Sequence, residues 1–368
     1  MHPRAGRLVF VQTVVPDYRV PLFETLGHLL EGRLQVLTGM SDYGPATRSA
    51  DALPASIARV ENRFLLGRRL LWQRLPWRAV YRADVVLADL NPRNLSTWAI
   101  LLLRGLAGRR TVLWGHAWPR AGRGARTDRL RGGQRRLASA LVLYTEQQRR
   151  ELRQMMPPST ALYAAPNALY RAADLRPAAP SDGRPSSFLC VGRLIPEKKP
   201  RLLVEAFARA ADAGLPADCR LVLAGDGPER PALEGLCRAR GIADRVELAG
   251  HVPPDALRPY YGDAIASVSP GYVGLSLTQS LGFGIPMIYG LDEPHAPEIE
   301  AALDGVNARS FPSDDAEALA RTLVEFAQER AQWLERRDGI ARWTAERYSL
   351  EAMCERIAAA AFGEPRER

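Results

Sequence analysis

The stretch FLCVGRLIPEKKPRLLVEAF, residues 188–207, decides how this chain is read. Phe188 to Val191 is a short apolar run of the kind that forms a buried strand. Gly192 opens a loop. From Pro200 the apolar residues Leu202, Leu203, Ala206 and Phe207 recur at helical spacing. The loop carries Arg193, Lys198 and Lys199 beside the start of that helix. A helix N-terminus offers unpaired N–H groups and a positive dipole end, so cations placed there make an anion site. The chain holds 50 Lys and Arg residues, yet Lys198 and Lys199 are its only lysines. Random use of lysine would have scattered them. Lysine is a compact point charge that meets a phosphate where a planar guanidinium fits badly. Taken alone, a charge run also reads as a solvated loop; the loops downstream favour the anion site.

At 368 residues the chain is too long for one ordinary core, and two domains are expected. The apolar, charged and glycine contents are those of a soluble globular enzyme. Cys190, Cys219, Cys237 and Cys354 show no close pairing pattern. They read as buried reduced thiols of a cytoplasmic protein. The five histidines are widely spaced, so no metal motif is visible and none is expected. LVFVQTVV near the start is too short for a secretion signal and reads as a first strand. The apolar stretch from Ser96 to Gly108 is interrupted by Arg104 and falls short of the roughly 20 residues a bilayer span needs.

The charge is uneven. Residues 1–180 carry 28 arginines against 12 acids, while the chain as a whole is only +9. Two readings stand for the basic half. One is an anionic partner: an acidic membrane surface, a diphosphate-linked lipid or nucleic acid. The other is arginine-biased coding without function.

The chain alternates strands and helices. Expected strands are 8–15, 34–37, 84–88, 111–114, 140–143 and 160–164, with helices after residue 16 and over 95–106 and 146–155. Residues 41–62 read as irregular, and WGHAWPRAGRGARTDRLRGG, from Trp114, as a glycine- and arginine-rich loop. RPAAPSDGRPSS (176–187) reads as a linker. The second half has strands at 188–191, 220–223, 246–248, 264–268 and 287–289, with helices starting near Pro200, Glu229, Asp255 and Leu275. Past Pro312, Ser313 or Asp314 caps a further helix. Strand–helix alternation implies right-handed crossovers and parallel sheets. The expected fold is α/β, two doubly wound Rossmann-like domains facing across a cleft: residues 1–176, a linker at 177–187, residues 188–345, and a C-terminal helix (346–368) packing back toward the first domain.

Four loops at the strand ends of the second half suit a nucleotide diphosphate. The first holds Gly192, Arg193 and Lys198. In AGDGPERPALE, Gly225 and Gly227 permit a tight turn and Pro228 opens a helix. In LAGHVPPDAL, backbone groups at Gly250, His251 and Val252 face a base edge. In SPGYVGLSLTQSLGFGIPMI, Gly274, Leu275 and Ser276 begin a short helix, and Gln279 lies one turn in.

From Phe188 to about Phe311 the sequence resembles the donor domain of glycosyltransferase family 4, retaining enzymes of the GT-B fold that use nucleotide sugars. The ordered motifs are VGRLIPEKK, LVLAGDGPERPAL, RVELAGHVPPDAL, GLSLTQSLGFGIPMI, APEI and DGVNARSF. PDYRVPLFETL, LWGHAW and APNAL resemble acceptor-domain elements of bacterial polysaccharide and lipopolysaccharide transferases. The resemblance implies that Arg193 and Lys198 hold the donor diphosphate and that His116 lies near the acceptor. It brings His295 and Glu298, in EPHAPEIE, toward the sugar. His116, His295 and Glu298 also read as packed, hydrogen-bonded residues. Two departures stand out. The family's pair of glutamates falls on Gly271 and Gln279, and an amide accepts less strongly than a carboxylate. The glycine-rich turn after the first strand is replaced by PDYR, which leaves Arg19 as the anion- or acceptor-binding group there.

The resemblance thus implies a retaining glycosyltransferase of cell-surface glycan synthesis, with a nucleotide-sugar donor and a glycan or lipid-linked acceptor. It implies no metal and no other cofactor. The protein is expected in the cytoplasm, peripheral to the inner face of the membrane. A GT-B epimerase, an inverting transferase and a non-catalytic nucleotide-sugar-binding subunit are the alternatives. No nucleic-acid motif accompanies the basic charge, so nucleic acid is not an expected partner.

Overall fold

The structure is a computed structural model that describes residues 6–44, 48–119, 122–181 and 186–363. It divides into two compact units, Met1–Leu169 with Leu350–Arg368, and Tyr170–Ser349.

The first unit runs β1 (Leu8–Gln12), α1 (Val20–Leu29), β2 (Leu34–Thr38), β3 (Ile57–Arg59), β4 (Asn62–Leu65), β5 (Leu70–Gln73), α2 (Trp77–Arg82), β6 (Val85–Asp89), α3 (Leu95–Leu106), β7 (Arg110–Trp114), α4 (Arg126–Leu137), β8 (Ala140–Leu143), α5 (Glu146–Arg153) and β9 (Ala161–Ala164). Seven parallel strands form one sheet in the order β3-β2-β1-β6-β7-β8-β9, and β4 pairs antiparallel with β5. Both faces of the sheet are covered, so its strands read as continuous apolar runs. Leu8 and Phe10 join Phe23, Leu26 and Ile357 on one side. Val9 and Val11 join Ile100, Leu101 and Leu152 on the other.

The second unit runs β10 (Ser187–Val191), α6 (Pro200–Asp212), β11 (Arg220–Ala224), α7 (Arg230–Ala239), β12 (Val246–Gly250), α8 (Arg258–Asp263), β13 (Ala264–Ser269), α9 (Ser276–Gly282), β14 (Met287–Gly290), β15 (Ala308–Phe311), α10 (Ala316–Gln328) and α11 (Arg330–Tyr348). Its six parallel strands lie in the order β12-β11-β10-β13-β14-β15. Phe188 and Cys190 pack under Leu203, Phe207 and Leu323, and Leu189 faces Tyr261 and Phe283. The last helix, α12 (Leu350–Phe362), belongs to the first unit, where it lies along α1 and β9.

The structure corrects several sequence expectations. Residues 177 and 178, expected as the start of the 177–187 linker, are already packed into the second unit. The Ala178 N–H donates to Phe283 O, and Arg258 and Arg337 bind the carbonyls of Pro177 and Ala178. Residues 182–185 of that stretch lie outside the described residues. The glycine-rich stretch after Trp114 contains α4, not a continuous loop. Gly133 makes a close approach there, since a Cβ would sit 3.0 Å from the Trp98 ring on α3. Arg135 ties α4 down by donating to Ala117 O and pairing with Asp128. Residues 41–62 include a strand, β3, held beside β2. The cap of α10 is Asp315, whose carboxylate accepts from the Glu317 and Ala318 N–H groups. All four cysteines are free and buried.

Candidate functional site

Each sheet has one topological switch point, where consecutive connections leave in opposite directions. In such sheets the crevice beyond the strand carboxyl ends at that point is where ligands bind. The switch points lie between β1 and β6 and between β10 and β13.

At the β10/β13 point three loops are locked by glycines. A Cβ on Gly225 would lie 1.8 Å from Gly192 O, one on Gly227 2.4 Å from Leu194 O, and one on Gly271 2.3 Å from Glu197 O. Gly192 has φ 147° and Gly227 has φ 158°, backbone that side chains disfavour. The Tyr272 N–H donates to Glu197 O at 3.1 Å, and Lys198 Nζ donates back to Tyr272 O at 2.5 Å. The β10 and β13 loops are thereby stitched together around the Lys198 ammonium.

The two lysines separate here. Lys199 adopts a left-handed conformation, φ 49°, and pairs with Glu293 at 2.6 Å and Asp314 at 2.7 Å. Among the described residues, Lys198 has no carboxylate partner. It lies 4.8 Å from the centre of the Tyr272 ring, and desolvation, with repulsion from Arg193, pulls its pKa down. The Arg193 guanidinium is exposed and, among the described residues, forms no ion pair. Two cations without counter-ions among the described residues thus stand at this switch point.

The other expected donor-side residues are placed as follows. Gly274, Leu275 and Ser276 lead into α9 and are half-buried. Gln279 is 7% exposed, and its Nε2 donates to Tyr170 Oη at 2.5 Å, so this amide braces the unit's interior. His295 Nδ1 accepts from the Val273 N–H at 3.1 Å and Nε2 donates to Gly290 O at 2.7 Å. Both ring nitrogens are spent, and the imidazole holds the β13 and β14 loops together. Glu298 is buried in the turn Pro297–Ala301 against α9. His251 is exposed and Val252 half-buried beside β12.

The β1/β6 point holds a pocket of about 470 Å³ lined by residues that include Gln12, Thr13, Arg19, Asp89, Trp114, His116, Arg131 and Tyr144. Asp89, at the end of β6, accepts from Thr13 N, Thr13 Oγ1 and Gln12 Nε2 at 2.7, 2.7 and 2.5 Å. Burial pushes its pKa up, and the Thr13 hydrogen bonds pull the other way. Gln12 Oε1 then accepts from Arg19 Nη1 at 3.1 Å, and Arg19 Nη2 donates to Tyr144 Oη at 3.0 Å. The guanidinium lies 4.6 Å from the Trp114 ring centre. Among the described residues, the buried donors Arg19 Nε and Trp114 Nε1 have no partner. The His116 ring leans on Tyr144 at 4.6 Å. It is partly open to solvent, yet desolvation by its neighbours, then the charges of Arg131 and Arg19, lower its pKa to about 4. His116 is therefore neutral near pH 7.

Sequence reasoning placed Arg19 and His116 here but missed Gln12, Thr13, Asp89 and Tyr144. Asp89 had one signal, an acid at the end of the strand after the crossover. Among the described residues, no group of three or more His, Cys, Asp or Glu is arranged to hold a metal ion.

Known structures align along nearly the whole chain. HepE of Anabaena, solved in complex with UDP, aligns at TM-score 0.67 and 16% identity, covering 96% of this chain and 98% of that one. The lipopolysaccharide outer core galactosyltransferase WaaB, in its apo form, aligns at TM-score 0.65 and 15% identity with the same coverage. The fold is GT-B. Residues 185–329 match the family model described as Glycosyl transferases group 1. Alpha-D-kanosaminyltransferase of Streptomyces kanamyceticus is 46% identical over 80 residues, 22% of this chain and 20% of that protein. The chain thus matches about a fifth of the length of this curated relative. Arg193 and Lys198 lie within the segment that matches the group 1 family model. Among the described residues, no helix is long and apolar enough to cross a membrane.

Proposed function

We propose that this GT-B chain is a glycosyltransferase that takes a sugar from a nucleotide diphosphate donor and passes it, with retention of configuration, to a glycan or lipid-linked acceptor of the cell surface. The observation that carries this reading is the Lys198 ammonium. It is partly desolvated and, among the described residues, has no carboxylate partner; it stands beside Arg193 and inside the segment that matches the group 1 family. The UDP bound by HepE and the galactosyltransferase name of WaaB support the donor class.

In the proposed reaction, the bond between the anomeric carbon and the diphosphate oxygen breaks. The acceptor hydroxyl forms the new bond on the same face, and its proton passes to the departing phosphate oxygen. Charge grows on that diphosphate, and Arg193 with Lys198 neutralises it. Fixed cations in a desolvated site stabilise such charge without reorganising. No metal is required in this scheme, and a chelator is expected to leave turnover unchanged. The pocket around Asp89, Arg19 and His116 is the acceptor's place. Neutral His116 can accept or donate a hydrogen bond to a sugar hydroxyl without adding charge.

A thermal-shift screen with UDP, GDP, ADP and their sugars tests the donor class, since a ligand of the native state raises the melting temperature. No shift with any of them removes the reading. The configuration of the product's new anomeric centre tests retention.

A further inference from the structure

We propose that the outer faces of α3 and α4, with the end of α2, form a docking surface for an anionic lipid bilayer. Leu106 is 91% exposed, Leu102 53%, Leu103 51% and Leu137 45%, and Tyr81 stands beside them at 44%. α3 packs beside both α2 and α4. Gly133 of α4 meets the Trp98 ring of α3, and Leu137 and Leu102 each lie four residues on from that contact. Single exposed leucines are ordinary, but a cluster of them marks a surface that meets something apolar.

The charge around the cluster selects the partner. From Leu90 to Thr127 the chain has no Asp or Glu. The first acid beyond, Asp128, is spent on Arg135 at 3.2 Å. Asp84, on the α2 side, accepts from the Arg7 N–H. Arg78, Arg82, Arg129 and Arg136 are exposed, and Arg109 lies over the Tyr81 ring at 4.9 Å. Leucines at the centre with guanidiniums at the rim match an interface in which apolar side chains enter the acyl boundary and arginines reach lipid phosphates. Two copies of this chain meeting through the same face would bring like charges together, which disfavours self-association. The surface deepens the lipid-linked acceptor reading, on which its purpose rests. Its test does not pass through catalysis.

Co-sedimentation of the full chain with phosphatidylglycerol-rich and phosphatidylcholine-only vesicles decides the matter. The chain should pellet with the first and stay free of the second. Added salt should weaken binding without abolishing it, because the leucine contribution is unscreened. Leu103→Asp/Leu106→Asp should lower vesicle affinity by at least about tenfold, as expected for two lost apolar contacts. Arg109→Glu/Arg136→Glu should do so at low salt. The nucleotide-induced rise in melting temperature should be the same in both variants as in the parent, which also shows that they fold. Failure of the parent chain to bind, or unchanged binding by the leucine variant, overturns the proposal. So does a dimer, seen by sedimentation velocity, that the leucine variant dissociates. Vesicle binding without any nucleotide-induced shift would sink the donor reading and leave this surface standing.

Discussion

Lys198 donates to the carbonyl oxygen of Tyr272, so the residue that follows the first loop of the second unit is anchored on the loop after β13. Its neighbour Lys199 is anchored elsewhere, on Glu293 and Asp314. Two adjacent lysines therefore carry separable tasks. Lys198→Ala should lower kcat/KM by about 10²- to 10³-fold, the cost of one lost donor to a developing oxyanion, with little change in melting temperature. Lys199→Ala should do the reverse. It leaves the mostly buried Glu293 carboxylate without its cation, at about 1–3 kcal/mol of stability. Steady-state kinetics beside thermal melts of the two variants separate these outcomes.

Gly271 admits no side chain, because a Cβ would lie 2.3 Å from Glu197 O. Gly271→Ala should push the β10 and β13 loops apart and destabilise the fold by about 1–3 kcal/mol, the usual range for overpacking. Nucleotide affinity should fall with it. Titration calorimetry on the folded variant checks the second part; unchanged affinity would show that the close approach of the loops is dispensable for binding.

Asp89 holds Gln12, and Gln12 holds Arg19. Asp89→Asn keeps the shape but places an NH₂ where one carboxylate oxygen accepted a donor. The expected cost is about 1–3 kcal/mol in stability. Arg19 should lose its fixed position, raising KM for the acceptor while nucleotide affinity stays as it was. A rise in nucleotide Kd instead would place this network in the wrong role.

His116 makes a pH prediction with a definite sign. Its folded-state pKa, about 4, lies below the ordinary value. Between the two values the unfolded chain binds the proton and the folded one does not, so stability falls as pH drops through this window. His116→Gln should flatten that fall relative to the parent, and it should leave stability near pH 7.5 almost unchanged. Chemical denaturation at a series of pH values from 7.5 to 4 measures the difference.

Much of the second unit was legible in the sequence because several of its strands end in a glycine that does something local. Gly192, Gly225 and Gly227 turn the chain beside a helix, and such turns announce themselves. The first unit was harder to read. The glycines at 132 and 133 looked like loop punctuation, but Gly133 lets two helices approach. Residues 62–65 carry too little alternation to announce β4. Arg104 looked like a flaw in an apolar helix, yet it is buried and donates to the carbonyls of Val80, Tyr81, Ala83, Asp84 and Arg110, gathering the ends of four segments. The roles of Gln279 and His295 were out of reach for another reason. Their partners, Tyr170 Oη and the Gly290 carbonyl, are chosen by tertiary packing, and no spacing in the sequence encodes them.

The central claim is that the Lys198 ammonium and the Arg193 guanidinium bind the diphosphate of the donor. Calorimetric titration of the parent chain and Lys198→Ala with a nucleoside diphosphate and with the bare nucleoside tests it most directly. The account predicts that the parent binds the diphosphate far more tightly than the nucleoside, and that the variant loses most of that preference while its nucleoside affinity is unchanged. A variant that kept the full preference would contradict it.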